Sequence, residues 1–465
     1  MAMPDPIPAL SSTLLRRNFL KFGALGLSLS QWMALRALGG SPAAAGAGKA
    51  KSCIVLFAWG GISHIDTWDP KPEAAADIRG EFRPIKTSVP GIRIGEHMPR
   101  IAKQMHHLAV VRSAHHRAPS HRSAAYWNLT GHEPPNLGGN WPATRDDWPC
   151  IGSMVAAATS PDVANQALPN TLALPYPMAD GGKANGQDAG FLGQGYDPVI
   201  LRPPSGKLYA GVSPSSGHVD LSLPPGMNRS RATTRRTLLD QIDQAAAIGA
   251  PADTDTFDRA RENAMGMLLS PKVRTAFDLD QEPQRLRDAY GDHICGQSVL
   301  LARRLSDAGV PLTTVYCSAG DLNGASGDHF DTHGNNFNRL KNDMLPPLDQ
   351  ASSALLEDLH QSGKLDETLV CWLTEFGRTP QVNRNAGRDH FPLCYSVAFA
   401  GGGIDGGQVY GKSNAIGYEP AESGCGPADL HATIFHALGI NPNHVIHDRS
   451  GRPFSLCDGK ALPLF

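Results

Sequence analysis

The chain has 465 residues, with 42 Lys and Arg against 44 Asp and Glu and a formal net charge of −2. Near-neutral balance, with no basic run beyond the N-terminus, argues against a nucleic-acid partner. Glycine (49) and proline (37) are abundant, which implies long ordered loops over a core, and such loops often carry function.

In chain order, Arg16-Arg17-Asn18-Phe19-Leu20-Lys21 comes first, followed by small and apolar residues from Phe22 to Leu38 and small residues at Ser41–Ala47. This is the pattern of a twin-arginine export signal rather than a membrane span. Residues 1–48 are therefore expected to be removed. The mature chain, 49–465, is expected to be one periplasmic or extracellular domain with no stable membrane span after cleavage. None of the eight cysteines forms a Cys-x-x-Cys pair, which argues against a zinc-thiolate site. Cys53, Cys317, Cys371 and Cys394 lie in or beside apolar runs, as small core residues do.

Cys53–Trp59 is an almost continuous apolar run stopped by Gly60-Gly61, the form of a parallel strand buried on both faces. Similar runs recur at Leu108–Val111, Leu312–Cys317, Leu369–Leu373 and Tyr395–Ala400. Helical patterns lie at Met344–Leu359 and Asp429–Leu438. Alternating strands and helices predict a three-layer α/β/α sandwich with a mostly parallel central sheet. The stretch from about 134 to 285, rich in Gly, Pro and Asn up to Asn228 and then helical and charged, reads as a loop-rich insertion capping that sheet.

Acids and imidazoles gather at the predicted strand ends, where an open parallel sheet binds ligands. After the first strand come His64 and Asp66, two apart and so on one side of an extended segment; Asp69, before Pro70, reads as a turn cap. After the second comes Arg112-Ser-Ala-His115-His116-Arg117-Ala-Pro119-Ser120-His121-Arg122. Unless it is an exposed basic loop, it offers Ser120 or His121 as nucleophile or ligand, and Arg117 and Arg122 to hold substrate oxygens. Asp331 and His333 share one side of a later segment, with Asp328 and His329 in reserve. Glu375 follows a buried strand, where a carboxylate must be paired or metal-bound; an ion pair with Arg378 is the structural alternative. Asp389 and His390 lead into the next strand. Such a set points to a divalent-metal site and hydrolysis.

Read together, Asp66, Pro119-Ser120-His121-Arg122 with Asn128-Leu129-Thr130-Gly131, Asp331 with His333, Glu375 and His390 resemble the alkaline phosphatase/sulfatase superfamily. Gly61-Ile-Ser-His-Ile-Asp66, Asp331-Thr-His-Gly-Asn-Asn336, Glu375-Phe-Gly-Arg-Thr-Pro380 and Gly387-Arg-Asp-His390 resemble more closely one twin-arginine-exported bacterial family classed as a domain of unknown function. The resemblance implies an alkaline phosphatase-like fold and an exported hydrolase of sulfate or phosphate esters. Its substrate would be an anionic ester, with a sulfated polysaccharide as one option. One or two divalent ions (zinc, calcium, manganese or magnesium) would be held by residues drawn from His64, Asp66, Asp331, His333, Glu375, Asp389 and His390. Ser120, His121, Arg117, Arg122 and Arg378 would serve the chemistry. Two departures favour a rival reading, a non-catalytic surface protein binding a glycan or envelope partner. Ala118-Pro119-Ser120-His121-Arg122 lacks the sulfatase Cys/Ser-x-Pro-x-Arg order, and Glu375-Phe376 stands where the superfamily has Asp-His.

Overall fold

The computed structural model describes residues 48–139, 141–159, 169–200, 226–246, 261, 265–266, 269–318, 321–322 and 329–465. The twin-arginine segment and Asp328 lie outside the described residues.

Eight strands form the central sheet: β1 (Ser52–Phe57), β2 (Leu108–Ala114), β3 (Thr171–Leu174), β4 (Val199–Ile200), β5 (Leu312–Tyr316), β6 (Thr368–Leu373), β7 (Tyr395–Ala400) and β8 (Gln408–Tyr410), in the order β8-β2-β7-β6-β1-β5-β3-β4. β1 sits in the middle, parallel to β5 (Cys53↔Leu312 through Phe57↔Tyr316) and to β6 (Ser52↔Thr368 through Phe57↔Leu373). Among the described strands only β7 runs against its neighbours, antiparallel to both β2 and β6. The α/β architecture with a mostly parallel sheet is thus as the sequence predicts.

Both faces of the sheet are covered, as the unbroken apolar runs require. Successive β1 residues point to opposite faces. Ile54 and Leu56 pack with residues of α3 (Ile294–Ala308) and α4 (Leu345–Gln361). Cys53, Val55 and Phe57 pack with α1 (His121–Thr130), α2 (Ile151–Thr159) and α5 (Pro427–Ala437). In α4 the buried leucines at 345, 348, 355, 356 and 359 make one stripe, and the prolines fall in the first turn, where a missing N–H costs nothing. All eight cysteines are free thiols.

The stretch from about 134 to 285, expected as a cap over the sheet, instead supplies β3 and β4, which extend it past β5. A strand of four residues among glycines and prolines is too short to carry a periodic signal. Among the described residues, no helix is long and apolar enough to cross a membrane.

The topology fixes where chemistry can occur. β1, β2, β5 and β6 all run the same way and end at one edge, and reversed β7 begins there. The segments after four strands and before the fifth therefore meet along a single rim.

Phe57 is fully buried in the central strand, with its ring edge-on to Tyr316 at 6.2 Å between centroids. Phe57→Ala is expected to lower unfolding free energy by about 3–5 kcal/mol in urea denaturation.

Candidate metal centre

Two glycines let the β1 loop approach the rim closely. Gly60 has φ +107°, and a Cβ there would lie 2.4 Å from the Asp331 backbone nitrogen; Gly61 has φ +75°, and a Cβ would lie 2.6 Å from the Phe376 ring. Neither position accepts a side chain. The Arg378 guanidinium, fully buried, locks this approach. It donates through Nε to the Gly61 carbonyl (2.9 Å), through Nη1 to the Arg388 carbonyl (3.2 Å), and through Nη2 to the Gly60 carbonyl and to Asp331 Oδ1 (2.6 Å).

Asp331 Oδ1 is the hub. His333 Nε2 lies 3.1 Å from it, and His121 Nε2 and His390 Nε2 each lie 3.3 Å away. His333 Nε2 and His390 Nε2 are 2.9 Å apart. The other nitrogen of each ring is already committed as a donor. His121 Nδ1–H donates to Glu375 Oε1 (2.7 Å), His333 Nδ1–H to Asp389 Oδ1 (2.7 Å), and His390 Nδ1–H to the Pro119 carbonyl (3.0 Å). Outward partners of this kind fix the tautomer of metal-binding histidines. In the neutral rings, every Nε2 lone pair then abuts a carboxylate oxygen, an arrangement that is repulsive until a proton or a cation lies between them.

Protons are one answer. Burial opposes charge on His121, but the neighbouring carboxylates of Asp331 and Glu375 outweigh it and raise its pKa above 6.5. Asp331, chiefly, raises the pKa of His333, with Asp389 adding to the effect. Burial lowers His390 to about 4, with repulsion from His121 and Arg378 adding to the effect and the bond to Asp331 insufficient to offset it. Its outward partner is only a carbonyl. Burial opposes ionisation of Asp331 too, yet the three imidazoles and Arg378 hold its carboxyl far below the usual range.

A metal ion is the other answer, and the donor set fits one. His121, Asp331 and His390 offer ligand atoms within 4.8 Å of one another, and His333 adjoins two of them. His121 Nε2 is buried without a hydrogen-bond partner. Tetrahedral coordination with nitrogen bonds of 2.0–2.1 Å places ligand atoms about 3.3 Å apart, close to the contacts found here.

The remaining expected residues occupy other places. Asp66 is not at the hub. It makes a fully buried, bidentate pair with Arg388 (Nε–Oδ2 2.8 Å, Nη2–Oδ1 3.1 Å) and accepts from Asn336 Nδ2 (2.9 Å). His64 donates from Nε2 to the Gly417 carbonyl (2.8 Å), and burial keeps it neutral with a pKa of about 4. Glu375 is fully buried and holds His121 and the Gly60 amide (2.8 Å) rather than the hub, and Arg378 pairs with Asp331 rather than with Glu375. Arg117 is exposed against Glu133, Arg122 donates twice to the Asp180 carbonyl, and buried His329 lends its carbonyl to Arg339. Asp69 is buried and bonds Lys71 and Ser413. Half-buried Ser120 is the N-cap of α1 and makes no capping hydrogen bond; it lies between Pro119 and His121, both at the cluster.

Three supports escaped the sequence reading. Arg388 belongs to the same Gly387-Arg-Asp-His motif that supplies two site residues, and its adjacency was the signal. His116 Nε2–H and Asn128 Nδ2 both donate to the Glu375 carbonyl (2.6 and 2.8 Å). Only the crowding of histidines before α1 hinted at His116, and Asn128 was marked by the Asn128-Leu129-Thr130-Gly131 motif without a role.

A family model described as a protein of unknown function (DUF1501) matches residues 50–464. No curated protein matches the sequence. Among solved structures, Ps i-CgsB aligns with 11% identity over 88% of this chain and 74% of its own, TM-score 0.38. The PsFucS1 sulfatase from Pseudoalteromonas sp. aligns with 13% identity over 88% of this chain and 73% of its own, TM-score 0.37. A glycosaminoglycan-metabolism protein of Bacteroides thetaiotaomicron aligns with 12% identity over 83% and 73%, TM-score 0.36.

Asp66→Ala leaves the buried Arg388 charge without its partner. It is expected to cost about 3–5 kcal/mol of stability by chemical denaturation, while the protein that remains folded keeps its metal affinity. Loss of metal without loss of stability would return Asp66 to the ligand set. Glu375→Gln removes the carboxylate that orients His121 and should weaken metal binding by about 10–100-fold in a chelator competition titration.

Proposed function

We propose, from the premise that this chain belongs to the DUF1501 family, that it is an exported metal-dependent hydrolase of phosphate or sulfate esters. The observation that carries the reading is the meeting of three outward-anchored imidazoles on one carboxylate oxygen. His121, His333, His390 and Asp331 would hold one divalent ion. When bound, such an ion polarises an ester oxygen and lowers the pKa of a coordinated water. Glu375 and Asp389 keep His121 and His333 turned inward, and Arg378 fixes Asp331 while offsetting part of its charge. Ser120, with a hydroxyl free of capping duty next to His121, is the candidate nucleophile. Export would be directed by Arg16-Arg17 and the apolar run behind it.

A second reading has its own support. Arg117, Arg122 and Arg378 are all engaged by other protein groups, leaving none of the three expected arginines to grip a sulfuryl or phosphoryl oxygen. A protein that binds a glycan or envelope partner without turnover, with or without the metal, would have this arrangement.

Elemental analysis of purified protein is expected to give about one equivalent of metal, lost in both His333→Ala and His390→Ala. Aryl phosphates and aryl sulfates would then be tested with the loaded protein. Metal with no turnover on either series selects the second reading, and folded protein that stays metal-free after reloading defeats the hydrolase reading and leaves the second. Affinity is also expected to fall with pH, starting above 6.5: the raised pKa values of His121 and His333 mean that protons compete for the same lone pairs below those values. Metal titrations at pH 8 and pH 6 check the sign.

A further inference from the structure

Phe330, the residue before Asp331, also lines a separate recess of about 160 Å³ that no residue of the imidazole cluster touches. Its floor is buried and comes from three directions: Cys295 from α3, Tyr316 from the end of β5, and Met344 and Leu348 from the start of α4, beside Phe330 itself. Tyr176 and His293 stand half-exposed at the rim.

The floor carries no charge. Burial holds the Tyr316 phenol well above its ordinary pKa, and contact with Cys295 together with burial does the same for the Cys317 thiol. Asp343, the acidic residue of the lining, is exposed. An ionised ligand would therefore lose its hydration for nothing. The place is one where ligands collect, because Tyr316 and Cys317 mark the carboxyl end of a parallel strand. Met344 closes a π-helical turn, Leu340–Met344, a distortion frequent at functional positions, and its flexible thioether adapts to what lies against it. The volume matches one ring, since a pocket of about 150 Å³ takes up benzene. The lining offers polar anchors at Ser318 and at His293, whose Nε2 is buried without a hydrogen-bond partner. The buried Ser318 hydroxyl donates to the Trp59 carbonyl (2.9 Å), so its oxygen is left to accept a hydrogen bond from a ligand.

We infer that this recess binds a compact, uncharged phenol, with the ring between Phe330 and Met344 and the hydroxyl donating to Ser318. The inference does not depend on the hydrolase reading. In ligand-observed NMR, phenol is expected to bind the full chain saturably with a dissociation constant of about 1 mM or tighter. In crystals soaked with 4-iodophenol, the iodine is expected within the recess. Cys317→Phe fills the space and should weaken binding at least about tenfold, whereas His390→Ala should leave it unchanged. Absence of saturation up to about ten times that concentration, iodine seated elsewhere, or loss of binding in His390→Ala would each overturn the assignment. If Cys317→Phe does not fold, the iodine position in the wild-type crystal decides.

Discussion

The site depends on one buried cation. Arg378 has no access to solvent, and a guanidinium at that depth is tolerated only when its donors are satisfied and its charge is met. Three backbone carbonyls and Asp331 do this together. They belong to three stretches far apart in sequence, the Gly60-Gly61 turn, the 331–333 segment and the 377–390 excursion. Satisfying Arg378 therefore assembles the rim. Arg388 repeats the device within the same excursion by reaching Asp66 in the β1 loop.

Much of the fold was legible because parallel strands buried on both faces have to be apolar throughout. The runs at Cys53, Leu312, Leu369 and Tyr395 all became sheet strands with ends within about two residues of expectation. β3 and β4 were hidden for the converse reason: they are short, lie toward the far edge and sit among loop-forming residues. The chain's membership of a family of unknown function was also legible, in motifs that fall at strand ends.

The site was legible in its ligand types and less so in their roles. Asp331, His333 and His390 were marked by their spacing, and the structure adds His121 to the same carboxylate. Asp66 looked the same on paper, a carboxylate two residues from a histidine at a strand end. What distinguishes it is Arg388, more than three hundred residues on, and no local pattern reports a pairing at that range. Glu375 was read correctly as a buried acid needing a partner. The partner in the structure is an imidazole rather than a guanidinium, a distinction set by ångströms rather than by order in the chain.

The reversal of β7 has a consequence for how this rim can vary. β6 leaves the sheet at the edge where β7 re-enters it, so the intervening excursion has both ends on one margin and needs no crossover. Its outermost residues, Arg384 and Asn385, face solvent. Sequence added at that tip would change neither strand order nor register. The margin beside His390 is thus a modular border that lineages can reshape while the inherited constellation behind it stays intact.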